Sequence, residues 1–394
     1  MTKHAIIAGA GIGGLTAALS LARNGWQITL CEQALNIEPV GAGLQVSPNG
    51  VKLLERLGVM HHLEGKLFEP QAIEMRIGAS GKRLVQLPLA EQAVGRWGAR
   101  YIHIHRADLV NALCAVLVQA GGFEIQTGRR VRGYRLEGDQ VAVRFGTNEE
   151  LSADLLIGAD GLHSTIRTQM LGPDKPRFTG NVAWRALVPK SALGKHTPPP
   201  SACIWTGAGK HAVTTYVHGG ATVNFVGIIE QIDWHEEGWS LSGSRDEAKL
   251  NFGDMNATIA TIIDKADSFN RWALFDRAPL PRWSEGLVVL LGDAAHPMLP
   301  SLAQGAVQAI EDAWVLADEL SKPNGVAQAV QHYFDRRIAR TSHVQKQAAA
   351  NTSLFHHRSL YAQVAIYGPM ALASAAAPSF IQSRYDWLFG ETFN

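Results

Sequence analysis

Ala5-Ile6-Ile7-Ala8-Gly9-Ala10-Gly11-Ile12-Gly13-Gly14 is followed by Leu15, Ala18, Leu19 and Leu21 at helical spacing, and then by Gln27-Ile28-Thr29-Leu30-Cys31-Glu32. An apolar run that stops at a glycine cluster reads as a buried strand entering a tight turn. The helix ends near Asn24-Gly25, and a second strand closes on Glu32. Each glycine has its own reason: Gly9 makes the turn, Gly11 lets a pyrophosphate approach the backbone, and Gly14 lets helix pack on strand. An acid at the second strand's end, here Glu32, receives ribose hydroxyls. Strand, turn, helix and acid agree, so the spacing predicts an adenine-dinucleotide site without choosing between FAD and NAD.

A second unit of this kind lies at residues 287–316. The apolar strand 287–291 ends at Gly292-Asp293, Pro297 and Pro300 hold a loop open, and a helix with Val307, Ile310 and Trp314 on one face begins after Gly305. A helix N-terminus carries unpaired N–H groups and partial positive charge, so the loop is read as a site for an anion or an electron-rich carbonyl.

With 394 residues, 46% hydrophobic content and a formal charge of +1, the chain can build one large domain or two intimate ones. No basic stripe supplies phosphate neutralisation, so nucleic acid is not an expected partner. Three scattered cysteines, Cys31, Cys114 and Cys203, suit neither a disulfide framework nor a thiolate zinc site and favour a cytoplasmic setting. No signal peptide is read at the N-terminus. Residues 360–381 are apolar but interrupted by Gly368-Pro369 and Pro378, which predicts two short packed helices rather than a membrane span, with peripheral membrane contact as the second reading.

Between these landmarks, Gly41-Ala42-Gly43 opens a second glycine turn, read either as a plain loop or as backbone that meets a flat ring. Residues 71–100 alternate as a β-excursion. His103 and His105 share a strand face with no third ligand read nearby, so no metal site is expected; Arg106, at a strand-to-helix junction, suits a phosphate or sugar oxygen. Residues 123–154 read as a small antiparallel sheet turning at Glu137-Gly138-Asp139 and Gly146-Thr147-Asn148. A buried strand then ends at Asp160-Gly161, and a helix follows with Ser164 and Arg167 one turn apart. Residues 178–279 show strands at hairpin spacing and one helical segment, 250–266, which predicts a separate substrate lobe. The expected fold is therefore α/β. A Rossmann-like dinucleotide domain (1–70, 101–177 and 280–345) carries an inserted antiparallel-sheet lobe (71–100 and 178–279) and a C-terminal helical segment (346–394).

Taken together, Gly9 to Gly14 with Glu32, the pattern Asp160-Gly161-x-x-Ser164-x-x-Arg167, and Gly292-Asp293 with its proline-rich loop resemble the three fingerprints of class A FAD-dependent aromatic hydroxylases. The resemblance spans nearly the whole chain and is strongest to salicylate and hydroxybenzoate hydroxylases and 6-hydroxynicotinate monooxygenases. It implies a para-hydroxybenzoate hydroxylase-like fold, FAD as cofactor, NADH or NADPH as co-substrate, and O₂. A small aromatic acid or hydroxylated ring would be hydroxylated through a flavin C4a-hydroperoxide. The alternative is a reductase or dehydrogenase of the same fold that inserts no oxygen. A monomer or homodimer is expected.

Carried over by residue, the resemblance assigns Gly9, Gly11, Gly14, Glu32 and Gln33 to the ADP half, with Arg106 near the phosphates and Val131 a further cofactor contact. Gln45 and Asp293 would face the ribityl chain, Gly305 and Ala306 the flavin pyrimidine edge, and Asp160 both FAD placement and NAD(P)H use. His211 matches the base that deprotonates the ring hydroxyl, with Thr215, Tyr216 and Pro300 beside the substrate. Two positions depart from the pattern: Thr215 stands where several relatives have tyrosine, and Ser301 where some have a polar aromatic or imidazole group.

Overall fold

The computed structural model describes residues 2–37, 42–146, 149–231 and 241–393. Gly41 of the second glycine turn, and Thr147 and Asn148 of a predicted hairpin turn, lie outside them.

His4–Ala8 is at the centre of a six-stranded sheet, parallel to Gln27–Cys31 on one side and Leu155–Gly158 on the other. Val288–Leu290 extends it beyond Leu155–Gly158, so the two predicted strand-turn-helix units and the Asp160 segment end at one edge of one sheet. These strands are mostly apolar because the sheet is covered on both faces. The glycine turn is dictated by contact: a Cβ on Gly14 would come within 1.9 Å of the Gly9 carbonyl oxygen, and one on Gly9 within 2.4 Å of that of Ala159. At Gly11 the same atom meets nothing within 4 Å, which leaves its backbone open to a ligand.

The second sheet has eight strands, in the order Leu241–Gly243, Phe269–Asp276, Arg177–Pro189, Thr222–Glu230, Lys210–Val217, Ala202–Gly207, Ala72–Ile77 and Arg83–Pro88. The 71–100 excursion thus joins the 178–279 strands, through parallel pairing of Ala72–Ile77 with Ala202–Gly207.

Four expectations about elements need correction. Phe123–Gln126 is not part of the small antiparallel sheet but pairs in parallel with Gln27–Cys31 and completes the edge of the central sheet. Residues 91–97, within the supposed β-excursion, form a helix. The segment 250–266 lies in two helices, Arg245–Phe252 and Ala257–Lys265, because Asn256 caps a new start by accepting from the Thr258 N–H. Finally, residues 360–381 do fall in two helices, Leu360–Ala376 and Pro378–Ser383, but the break lies at Pro378 alone and the first helix runs through Pro369. The residue before a proline is kept from helical geometry largely by its Cβ, and Gly368 has none. This helix packs on Arg83–Pro88, where the Ser374 hydroxyl accepts from the Gln86 N–H. No helix among the described residues is long and apolar enough to cross a membrane.

Candidate active site

A cavity of about 390 Å³ opens where the first glycine turn, Gly43 to Gln45, the loop after Val288–Leu290 and one face of the eight-stranded sheet meet. Strand alternation sets its wall: His211, Val213 and Thr215 line it, as do Ile228, Val226 and Asn224 directly opposite them on the next strand. The intervening Ala212 and Tyr216 pack into the core behind. Tyr216 is therefore removed from the substrate wall; its hydroxyl donates to the Pro198 carbonyl.

Part of the cavity lining suits anions. Gly11 lines it at the start of the helix Ile12–Arg23, and Gly305 and Ala306 line it at the start of Gly305–Ser321. Arg106 and Arg185 both reach it, with Arg185 stacked 4.7 Å from the Trp272 ring centre. Burial, reinforced by Arg106, brings the Arg185 guanidinium down to about 10. That is the signature of a cation poorly compensated by its surroundings. Asp293 is exposed to the same space; the protein crowded around that space raises its carboxyl, against the opposing pull of His296 and Arg106. Gln45 also lines it, and its Oε1 accepts from the Tyr101 hydroxyl at 3.0 Å.

The Asp160 segment acts beside the cavity rather than on its wall. Asp160 Oδ2 accepts from the N–H groups of Thr165 and Ile166, Ser164 accepts from the Arg167 N–H, and buried Arg167 donates to the carbonyls of Ala294 and Leu162. The motif thereby fastens its helix to the residue following Asp293. Asp160 Oδ1 is buried with no protein partner among the described residues. Ala159 and Gly161 on either side of Asp160 do line the cavity.

Much of the remaining lining is apolar, including Ile73, Ile204, Leu299, Pro300, Phe355 and Phe389. His211 is 1% exposed. Burial, and then His356, hold its imidazole well below the usual histidine range, so the ring is neutral. Its Nδ1 lies 2.7 Å from His356 Nε2, whereas its Nε2 is buried without a protein partner among the described residues.

The FAD binding domain family model matches residues 2–351. The chain belongs to this FAD-binding family. It is 38% identical over 353 residues to 3-amino-4-hydroxybenzoate 2-monooxygenase PtmB3 of Streptomyces platensis, covering 89% of this chain and 88% of that protein. Identity to 6-hydroxynicotinate 3-monooxygenase of Pseudomonas fluorescens is 36% over 358 residues, covering 88% and 91%. Among solved structures, Klebsiella pneumoniae HpxO complexed with FAD and uric acid superposes with a TM-score of 0.87 at 28% identity, covering 100% of this chain and 98% of that one. The chain is a class A flavin hydroxylase, a flavoprotein aromatic monooxygenase.

The lining residues suited to anions fit the flavin cofactor of this hydroxylase family. The open Gly11 backbone, two helix starts and two guanidiniums match a pyrophosphate and an electron-rich isoalloxazine. Of the residues expected at the site, the cavity brings together Gly11, Gln45, Arg106, His211, Thr215, Asp293, Pro300, Gly305 and Ala306. Gly9 and Gly14 shape the turn behind it. Glu32 lies off the cavity and accepts from the N–H groups of Ala10 and Ala34, one on each carboxylate oxygen. Gln33 is exposed, and Val131 is buried in the core of the dinucleotide half. Gly43 lines the cavity, and a Cβ there would fall 2.6 Å from Asn224, whose Oδ1 accepts from the Gly43 N–H.

His103 and His105 do not act as a pair. His103 is fully buried against Phe68, and desolvation takes it down to about 3. His105 instead has two potential metal ligands close by, Asp108 and His218, with candidate ligand atoms all within 4.8 Å, contrary to the expectation that no third ligand is near. Burial chiefly lowers His105, with His218 and Arg185 adding to it and Asp108 opposing. Sequence reading missed Arg185, His356 and Glu230. Only Arg185 left a signal, as a lone cation inside an apolar strand.

Proposed function

We propose that this hydroxylase acts on a small, hydroxylated aromatic acid or heteroaromatic ring, with His211 as the base that takes the ring hydroxyl proton. The carrying observation is the buried His211 on the cavity wall, its Nε2 without a protein partner among the described residues. Removing that proton raises electron density on the ring, which prepares it for an electrophilic hydroxyl. FAD, when bound, supplies the NAD(P)H-derived electrons and the activated oxygen.

In this reading Gly9, Gly11, Gly14 and Glu32 hold the ADP half, Arg106 the phosphates, Asp293 and Gln45 the ribityl side, and the N–H groups from Gly305 and Ala306 the pyrimidine edge. The apolar residues Ile73, Ile204 and Leu299 exclude water around the ring, and Thr215 fixes Asn224 by accepting from its Nδ2 at 3.1 Å. Residues 1–70, 101–177 and 280–345 serve the cofactor, and 71–100 with 178–279 the substrate. The curated relatives act on 3-amino-4-hydroxybenzoate, 3-hydroxybenzoate and 6-hydroxynicotinate by name, which makes those three the first panel to try. The test is NAD(P)H oxidation stimulated by one of them, with product heavier by one oxygen.

Asp293→Ala is expected to weaken FAD retention. A lost hydrogen bond to a charged group costs about 1.5–3 kcal/mol, or about ten- to a hundredfold in Kd. Flavin fluorescence titration of the apoprotein measures this, and an unchanged Kd would remove Asp293 from the ribityl contact.

A further inference from the structure

His211 is connected to the surface. His356, the cap residue that ends the helix Val326–Phe355, is 5% exposed, and its Nδ1 lies 3.2 Å from Glu230 Oε1. The second oxygen, Glu230 Oε2, accepts from Arg358, whose side chain is 70% exposed. Gly209 makes the convergence possible: a Cβ there would sit 2.7 Å from the Arg358 guanidinium and 3.2 Å from Glu230 Oε2, and its N–H donates to the His356 carbonyl at 3.1 Å. From the cavity outward the row is His211, His356, Glu230, then solvent.

Hydrogen-bond chemistry gives this row a direction. An ionised carboxylate only accepts, so His356 Nδ1 carries the hydrogen and His356 Nε2 offers a lone pair. His211 Nδ1 must then be the donor, which leaves the lone pair of His211 Nε2 for the cavity. Glu230 is an exposed carboxylate at the surface end of the row; partial burial pushes its carboxyl up, but the contacts with Arg358 and His356 outweigh this and hold it low.

We propose that Glu230 and His356 are positioning and proton-relay residues that hold His211 in the tautomer able to accept a ring hydroxyl proton and then pass that proton to solvent. The proposal rests on the reading of His211 as the base. In the step, the ring O–H bond breaks and His211 Nε2 gains the proton. The Nδ1 proton of His211 moves to His356 Nε2, and that of His356 Nδ1 to Glu230 and on to water. No net charge stays on the buried rings, which suits a site where burial disfavours imidazolium.

Glu230→Gln tests the direction. The amide oxygen turns to the Arg358 cation, so the amide NH₂ faces His356 and donates to it. That reverses both tautomers and puts a hydrogen on His211 Nε2, which can no longer accept. In histidine-¹⁵N-labelled holoenzyme, E230Q is expected to exchange the protonated and unprotonated ring-nitrogen signals of His211 and His356. With whichever of 3-amino-4-hydroxybenzoate, 3-hydroxybenzoate or 6-hydroxynicotinate the wild type hydroxylates, the rate should fall about 10- to 100-fold, a large part of what a general base provides. Arg358→Ala removes the same ion pair but keeps the carboxylate, so it should retain the wild-type nitrogen pattern and a rate within about twofold. An E230Q protein with the wild-type pattern, or an R358A protein as impaired as E230Q, would overturn the relay. The nitrogen signals need no turnover, so wild-type enzyme that hydroxylates none of the three phenols would count against the functional reading alone.

Discussion

His211→Ala is expected to lower the rate of aromatic hydroxylation by about 10²–10⁴-fold, the usual contribution of a positioned general base, while FAD stays bound. The two effects separate because His211 packs on Phe355 and His356, whereas Gly11, Arg106 and Asp293 are the lining residues suited to anions and the ribityl chain. Oxygen incorporation measured beside NAD(P)H consumption and flavin content checks this. Unaltered coupled turnover in the variant would remove His211 from its role, and loss of flavin together with activity would make it a structural residue.

How far this site could be read from sequence depends on the range over which its residues are coupled. The glycine turn was legible because strand, turn, helix and acid follow one another in sequence and Gly14 is forced by the Gly9 carbonyl; only the contact that forces Gly9, with Ala159, is distant in sequence. The cavity face of the strand carrying His211 was half legible. Period-two alternation separates Thr215 from Tyr216, but it does not say which of them faces the ligand. Pairing with Asn224 and Ile228 decides that. The relay was not legible, because His356 lies 145 residues from His211 and 126 from Glu230. Nothing in the periodicity of a helix end announces a partner in another sheet. The edge strand Phe123–Gln126 was misplaced for a related reason, since its alternation is equally compatible with a hairpin and with a sheet edge.

Arg337→Leu is expected to cost about 3–5 kcal/mol of stability, the usual result of breaking a buried ion pair from one side. Arg337 is 2% exposed and donates to Glu311 at 2.6 Å and to Asp312 at 2.8 Å. Glu311 also accepts from Asn49 and Arg340. Asp312 accepts from the Gly292 N–H and lies 2.5 Å from His296 Nε2. The cluster thus joins the helices Pro48–Arg56, Gly305–Ser321 and Val326–Phe355 to the loop that carries Asp293. A loss of that size is a large fraction of a stability of about 5–15 kcal/mol, so the urea midpoint should drop sharply. Replacing Glu311 and Asp312 by apolar residues in the same variant should recover part of it, since the buried negative charge is removed as well.

The same cluster predicts acid sensitivity. Burial pushes both carboxyls up, but Arg337 and Arg340 around Glu311, and His296 and Arg337 around Asp312, outweigh it and hold both below the ordinary carboxylate range. A depressed folded-state value means stability that is present above the unfolded values near about 4 and is lost as pH falls through the lower folded ones. In Arg337→Leu both folded-state values rise, so less stability is lost on acidification and the stability gap between variant and wild type should narrow as pH falls. A gap that stays constant with pH would show that the arginine does not hold these carboxylates ionised.

The central claim, oxygen insertion into a hydroxylated aromatic ring, is tested most directly with ¹⁸O₂. FAD-loaded protein, NADH or NADPH, and each of 3-amino-4-hydroxybenzoate, 3-hydroxybenzoate and 6-hydroxynicotinate are incubated under labelled gas, and the products are weighed by mass spectrometry. The expected result is one ¹⁸O atom per product molecule, in step with NAD(P)H consumed. Ring-stimulated NAD(P)H oxidation that leaves every aromatic unlabelled would contradict it and make the protein a flavin reductase on a hydroxylase fold.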